Sequence, residues 1–326
     1  MPERTSPELL YLETKFASLM SYGLSLKVLA EALPIGAELN AATMRNHLLG
    51  VGQWLEEELG EERMCFIEGC ERDWEDLPRP DLPLTVGLDG GYVHSNEQPS
   101  RNEGWFEVIV GKSLTAEKES RCFAFVNSID EKPKRRLFEV LKAQGMQMNQ
   151  QVTFMSDGGD TVRELQLYLN PQAEHLLDWF HLAMKLTVMT QVARGIGAEG
   201  SETRTAALKE LERIKWYLWH GNTVLALQTI EGLQDELEPE NDEAEEESAG
   251  KLRKALEEFR NYVENNRKMI ANYGERWRAG ERISTGFVES AVNQVVSKRM
   301  VKKQQMRWGK KGAHLLLQVR TRVLDE

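Results

Sequence analysis

Three carboxylates stand where this chain could do chemistry on a phosphate ester. Asp89 in TVGLDGG and Asp157 in TFMSDGG each follow a short apolar run and precede two glycines. Glu289 follows Phe287-Val288 at the edge of an apolar helical stripe, with Asn293 four residues on. The C-terminal edge of a strand is where an α/β sheet presents functional side chains. Glycine lets the backbone bend there and lets a bulky substrate approach. Each acid also has a plainer reading. Asp-Gly is a common tight-turn signal, Asp157 or Asp160 would cap a helix at 161, and Glu289 would be an exposed residue on a charged helix. Taken together, three carboxylates from two strands and a late helix suit two divalent cations about 4 Å apart. Mg²⁺ prefers such oxygen ligands, with Mn²⁺ as its substitute. One ion would activate an attacking water or 3′-hydroxyl, and the other would stabilise the leaving oxygen. Ser95 beside His94 offers no competing nucleophile, because neighbours on a strand point to opposite faces.

The elements that must position these acids follow an α/β order. PLTVGLDGGYV reads as a strand ending in Asp-Gly-Gly, and GWFEVIVGKS and RCFAFVNSI as two more in a meander. A helix over Pro133–Met146, a strand in QVTFMSDGGD, a helix over Thr161–Leu169 and a fifth strand in AEHLLDWFH follow, the last running into a long helix from His181. This predicts a mixed sheet with helices, residues 84–181 and 283–326 forming one core. Residues 182–282 read as a helical insertion with an acidic loop over 231–247. Trp216, Trp219 and Trp277 in it are expected mostly as packing residues.

Upstream, residues 1–68 read as an all-helical, helix-turn-helix-like domain, joined by a Pro-rich linker over 69–83. Leu9, Leu12, Phe16, Leu19 and Met20 recur at helical spacing. Ser25 is expected to cap a short second helix, Pro34 and Gly36 to end it, and Asn40 to cap a third carrying Met44, Leu48, Val51 and Leu55. Arg45, Asn46 and His47 on that helix are the candidates to reach base edges.

Composition sets bounds. The 326 residues are 41% hydrophobic and 29% charged, with three cysteines and a formal net charge of −11. No long uncharged apolar window predicts a membrane span. The N-terminus has no apolar signal core, so a cytoplasmic, nucleoid-associated location is expected. Three cysteines do not make a disulfide scaffold. The acidic total hides a segregation: residues 290–326 carry nine Lys/Arg against two Asp/Glu, while 231–247 carry ten acids and no base. Segregated charge matters more for binding than the sum. Lys298, Arg299, Lys302, Lys303, Arg307, Lys310 and Lys311 would meet DNA phosphates. Trp308 among them would either stack on an unpaired base or anchor its helix to the core.

The ordered set Asp89, Asp157, Asp178-Trp179-Phe180-His181 and Glu289 resembles the DDE transposases with a ribonuclease-H-like core. Within them it is most similar to bacterial insertion-sequence transposases of the ISKra group, relatives of the Mutator-like elements. Phe287-Val288-Glu289-Ser290 with Asn293, Arg299, Met306-Arg307-Trp308 and Ala313 matches the pattern around their third acid, and the likeness covers about 84–326. The resemblance implies that Asp89, Asp157 and Glu289 bind the metals and that Asp178, His181 and Asn293 support the site. It implies hydrolytic cleavage at element ends, 3′-hydroxyl strand transfer into target DNA, and a homodimer or higher oligomer on DNA. Two departures keep other readings open. The N-terminal helices are acidic, and Cys65 and Cys70 have no second pair with which to build the zinc segment usual in relatives. An inactive, transposase-derived DNA-binding protein and another ribonuclease-H-like nuclease are the alternatives.

Overall fold

The computed structural model describes residues 5–34, 40–62, 84–96, 104–115, 120–147, 149–159, 164–166, 173–238, 247–301 and 308–326. Its helices are α1 (Pro7–Leu19), α2 (Tyr22–Ala32), α3 (Ala41–Glu58), α4 (Pro133–Ala143), α5 (Trp179–Ala193), α6 (Glu202–Trp219), α7 (Thr223–Glu236), α8 (Glu247–Asn266), α9 (Tyr273–Arg278), α10 (Gly286–Val292) and α11 (Lys310–Leu324). A π-helical segment, Asn293–Val301, continues directly from α10. The strands are β1 (Leu84–His94), β2 (Trp105–Leu114), β3 (Arg121–Val126), β4 (Val152–Ser156) and β5 (Glu174–Leu177), in the sheet order β3-β2-β1-β4-β5. The chain is therefore mixed α/β. It divides into two compact units, one of residues 1–154, 161–173 and 286–326, the other of 155–160 and 174–285.

In the first unit β1, β2 and β3 pair antiparallel, with Asp89 opposite Val110 and Val110 opposite Ala124. Side chains alternate between faces along a strand, and the apolar residues divide accordingly. Leu84, Val86, Leu88, Ile109, Phe123 and Phe125 share one face with Leu137, Phe138 and Leu141 of α4. Val93, Phe106, Val108, Val110, Ala124 and Val126 share the other with Ala291, Val295, Leu316 and Leu317, and with Ala17, Leu29, Met44 and Leu48 of the N-terminal helices. The close approach of α3 to α11 depends on Gly52, where a Cβ would come within 2.6 Å of the Leu315 carbonyl oxygen.

Two local expectations are corrected here. Ser25 does not start a helix. α2 begins after Ser21, and the buried Ser25 hydroxyl donates to the Ser21 carbonyl at 2.9 Å, the back-bonding that lets a serine sit inside a helix. β1 does not end at Asp-Gly-Gly either. Gly90 and Gly91 stay extended, opposite Ile109 and Val108, and the strand runs on to His94. By contrast Asn40 caps α3 as expected, accepting from the amides of Ala42 and Thr43 at 3.0 and 2.9 Å.

The second unit buries Leu182, Leu186, Met189, Leu211, Ile214, Leu218, Ile230, Leu256 and Val263 among its helices. Asp178, Ser201, Asn222 and Asn272 each accept a first-turn amide at the starts of α5, α6, α7 and α9. The acidic segment begins later than expected. Residues 231–236 belong to α7, held there by buried Ile230 and Leu233, and 239–246 lie outside the described residues. Trp219 packs edge-on to Trp179, ring centroids 4.9 Å apart. Trp216 and Trp277 are 59% and 65% exposed and are not core residues. No helix of the described residues is long and apolar enough to cross a membrane.

Candidate functional site

Within the first unit, the glycines of β1 decide what can stand beside Asp89. Gly87, Asp89 and Gly91 alternate onto one face of the strand. Val288 and the Phe287 ring press on Gly87, and Val292 and Val296 on Gly91. The helix bearing Glu289 thus lies along the same face of β1 that carries Asp89. Asp89 is partly exposed, and its Oδ1 accepts from the Gly90 amide at 2.8 Å. Glu289 follows Val288 in the first turn of α10 and is exposed. Asn293, half-buried, opens the π segment that continues this packing.

Asp157 and its surroundings belong to the second unit. It follows β4 directly, exposed, with its Oδ1 accepting from the Gly159 amide at 3.2 Å. Gly158 has φ +91°, a conformation that favours glycine. The Ser156 hydroxyl lies 2.7 Å from His175 Nε2 and accepts from the Gly158 amide at 3.1 Å. The Tyr262 hydroxyl donates to the Asp157 carbonyl at 2.7 Å. Burial, and secondarily the charges of Asp157 and Asp178, push the Tyr262 phenol above its ordinary pKa, so it keeps its proton as a donor.

Asp178 is buried and caps α5. Oδ1 accepts from the Phe180 amide at 2.8 Å and from the Thr285 amide at 3.3 Å, and Oδ2 from the Thr285 hydroxyl at 2.5 Å. It therefore ties the start of α5 to Thr285. His181 instead faces the Tyr262 ring, centroids 6.0 Å apart. The expected Asp178–His181 pairing is not what the structure shows: the carboxylate is taken up by Phe180 and Thr285, and His181 turns to Tyr262.

The basic segment is more mixed than its sequence suggests. Lys298 and Lys311 are exposed and Lys310 is half-buried, while Lys302, Lys303 and Arg307 lie outside the described residues. Arg299 is fully buried and leaves the set of phosphate contacts. It donates to the Ala17 carbonyl at 3.3 Å and stacks over Tyr22 and Trp308, 5.1 and 4.9 Å from the ring centroids. Trp308 is 5% exposed and bridged to Ser95, so it anchors the core rather than stacking on a base. On α3, Arg45 and Asn46 are exposed, but His47 is turned to buried Glu13 and is not offered to a base edge.

Among the described residues, one group of three His, Cys, Asp or Glu side chains brings its ligand atoms within 4.8 Å of one another: Glu56, Asp130 and His314. Its centre already holds a cation. Arg136 reaches Glu56 at 2.9 Å and Asp130 at 3.1 Å, and donates to Gln318 at 2.6 Å. A guanidinium so placed satisfies the charge a metal would otherwise neutralise.

Sequence reasoning missed Tyr262, Asn266 and Thr285, which act from places far along the chain, and no spacing signal marks them. It also missed the Glu56–Arg136–Asp130 cluster, whose members come from three separate segments.

No protein-family model matches this chain, and no curated protein matches it. Among solved structures it is similar to the Drosophila P element transposase strand transfer complex, at 9% identity and a TM-score of 0.36, over 100% of this chain and 93% of that one.

Proposed function

We propose that this protein is a metal-dependent DNA transposase with a ribonuclease-H-like core, in which Asp89, Asp157 and Glu289 hold two Mg²⁺ ions. The observation that carries the reading is the seating of α10 on β1. Gly87 and Gly91 let the helix bearing Glu289 lie on the strand face that bears Asp89. The donor chemistry fits the ion: Asp157 and Glu289 are exposed carboxylates, Asp89 is partly so, and hard divalent cations take such oxygens while keeping places for water and phosphate.

Bound Mg²⁺ would supply activation of an attacking water or 3′-hydroxyl and neutralisation of charge on the leaving oxygen. The chain's residues would do the rest. Asp89 and Glu289 would offer carboxylates from one strand face and one helix turn, and Asp157 from a glycine-held turn. Asp178, through Thr285, would keep the start of α5 in place. Exposed Lys298 and Lys311 would neutralise DNA phosphates, giving binding that weakens with salt.

The test is a cleavage and joining assay with Mn²⁺ or Mg²⁺ on plasmid DNA and on 3′-hydroxyl duplexes. Asp89→Asn, Asp157→Asn and Glu289→Gln should each abolish both products while leaving DNA retardation intact. Retardation with no metal-dependent cut at all would identify a DNA-binding protein without chemistry. Cutting that never yields a joined 3′ end would identify a nuclease and overturn strand transfer.

A further inference from the structure

α8 ends against the turn that carries Asp157. A Cβ on Gly158 would come within 2.5 Å of Asn266 Oδ1, so the turn and the end of α8 are in close contact. Four residues earlier, on the same helix face, Tyr262 reaches the Asp157 carbonyl. Asn266 Nδ2 donates to the Tyr262 carbonyl at 2.8 Å, joining the two residues. Phe259 and Val263 bury the same helix in the core of its unit. The Asp157 carboxylate hangs from this peptide and is held at its far end by the Gly159 amide, which donates to Oδ1 at 3.2 Å. The bond from Tyr262 holds that peptide at its carbonyl.

We propose that Tyr262 is a positioning residue for Asp157: its hydroxyl fixes the Asp157 peptide, and with it the carboxylate, for binding a divalent cation. The inference rests on the metal-binding reading of Asp157. The ring of Tyr262 is held independently of the hydroxyl, with Lys185 Nζ 4.8 Å from its centroid and His181 alongside. Removing the hydroxyl therefore leaves the ring packed, and the two contributions separate experimentally. Groups that orient a metal ligand without touching the metal typically matter by about 10-fold or more in affinity.

The experiment compares the unsubstituted chain with Tyr262→Phe, Lys185→Ala and Asp157→Asn, using Mn²⁺ alone as the probe. Mn²⁺ binding is read by electron paramagnetic resonance titration, and amide exchange of Gly158 and Gly159 is read without metal. Tyr262→Phe should lose about tenfold in Mn²⁺ affinity and faster exchange should appear at those two amides. Lys185→Ala, which keeps the hydroxyl, should match the wild type. Wild-type affinity in Tyr262→Phe alongside lost affinity in Asp157→Asn would overturn the positioning role alone. Equal loss in Tyr262→Phe and Lys185→Ala would assign the effect to ring packing and also overturn it. Equal Mn²⁺ binding in the wild type and Asp157→Asn would overturn the metal reading of Asp157 itself.

Discussion

Gly87 of β1 lies directly beneath Val288 of α10, so close that a Cβ on Gly87 would overlap the valine methyl and the Phe287 ring. The next residue of α10 is Glu289, and two residues along β1 on the same face is Asp89. A missing side chain thus sets how near a helix-borne acid comes to a strand-borne one. Gly91 repeats the device under Val292 and Val296.

Gly87→Ala should therefore destabilise the protein although it changes no functional group. Val288 is β-branched and buried and has few rotamers in which to yield. Overpacking of this kind costs about 1–3 kcal/mol, readable as a lowered denaturation midpoint. Gly50→Ala, a helical site with nothing within 4 Å of the new carbon, is the control and should raise stability or leave it unchanged. A Gly87→Ala protein as stable as the wild type would mean that α10 does not seat on β1 as described.

Arg299 and Lys298 are neighbours with opposite fates. Burial lowers the Arg299 pKa, its guanidinium bonded to a carbonyl and sandwiched by two rings. Arg299→Ala should cost about 3–5 kcal/mol through lost packing and an orphaned carbonyl. Lys298→Ala should leave stability within about 0.5 kcal/mol while reducing the slope of DNA affinity against salt by about 1. Denaturation curves and salt-dependent binding isotherms on the two variants check both halves. A reversed pattern would put Arg299 on the surface.

What the sequence makes legible is local. Asn40 announces a cap because its side chain bonds amides two and three residues away, and the strands around Phe106–Val110 and Phe123–Val126 announce themselves as short apolar runs at meander spacing. The Asp-Gly-Gly of β1 misleads for a physical reason. Glycine marks either a bend or a close approach, and only the helix some 200 residues later tells which. Arg299 misleads likewise, since a basic run says nothing of which member turns inward to a carbonyl of α1. The bond from Tyr262 to Asp157 spans 105 positions and leaves no periodic trace.

Cys122 gives a prediction for alkaline pH. Burial first, and the nearby Asp325 carboxylate second, push its thiol from an ordinary 9.0 up to about 12. A group whose folded pKa is raised contributes stability below its unfolded pKa and loses it as pH rises toward the folded one. Stability should thus fall between pH 9 and about 12, and Cys122→Ala should flatten that limb. Iodoacetamide at pH 8.5 or so should label Cys122 in denatured protein and spare it in folded protein, because the thiolate is the nucleophile. Rapid labelling of the folded form would contradict the raised thiol pKa.

The Glu56, Asp130 and His314 cluster should behave as an ion-pair network and not as a metal site. Burial alone would raise the Glu56 carboxyl, but hydrogen bonds and charge from His314 and Arg136 outweigh it and hold the group below its ordinary 4.5. A depressed carboxyl contributes stability above its unfolded pKa and loses it as pH falls through the folded value. The network should therefore open in acid below about 4.5, where protonated Glu56 no longer faces Arg136 as a charge. Glu56→Gln should lower stability at neutral pH by about 1–3 kcal/mol and weaken the acid dependence, because Arg136 keeps Asp130 and Gln318. The same variant should bind as many Mn²⁺ ions as the wild type, since the guanidinium already fills the space between the carboxylates. Loss of one bound ion in Glu56→Gln would show that a metal displaces Arg136 there, and that this cluster, too, takes divalent cations.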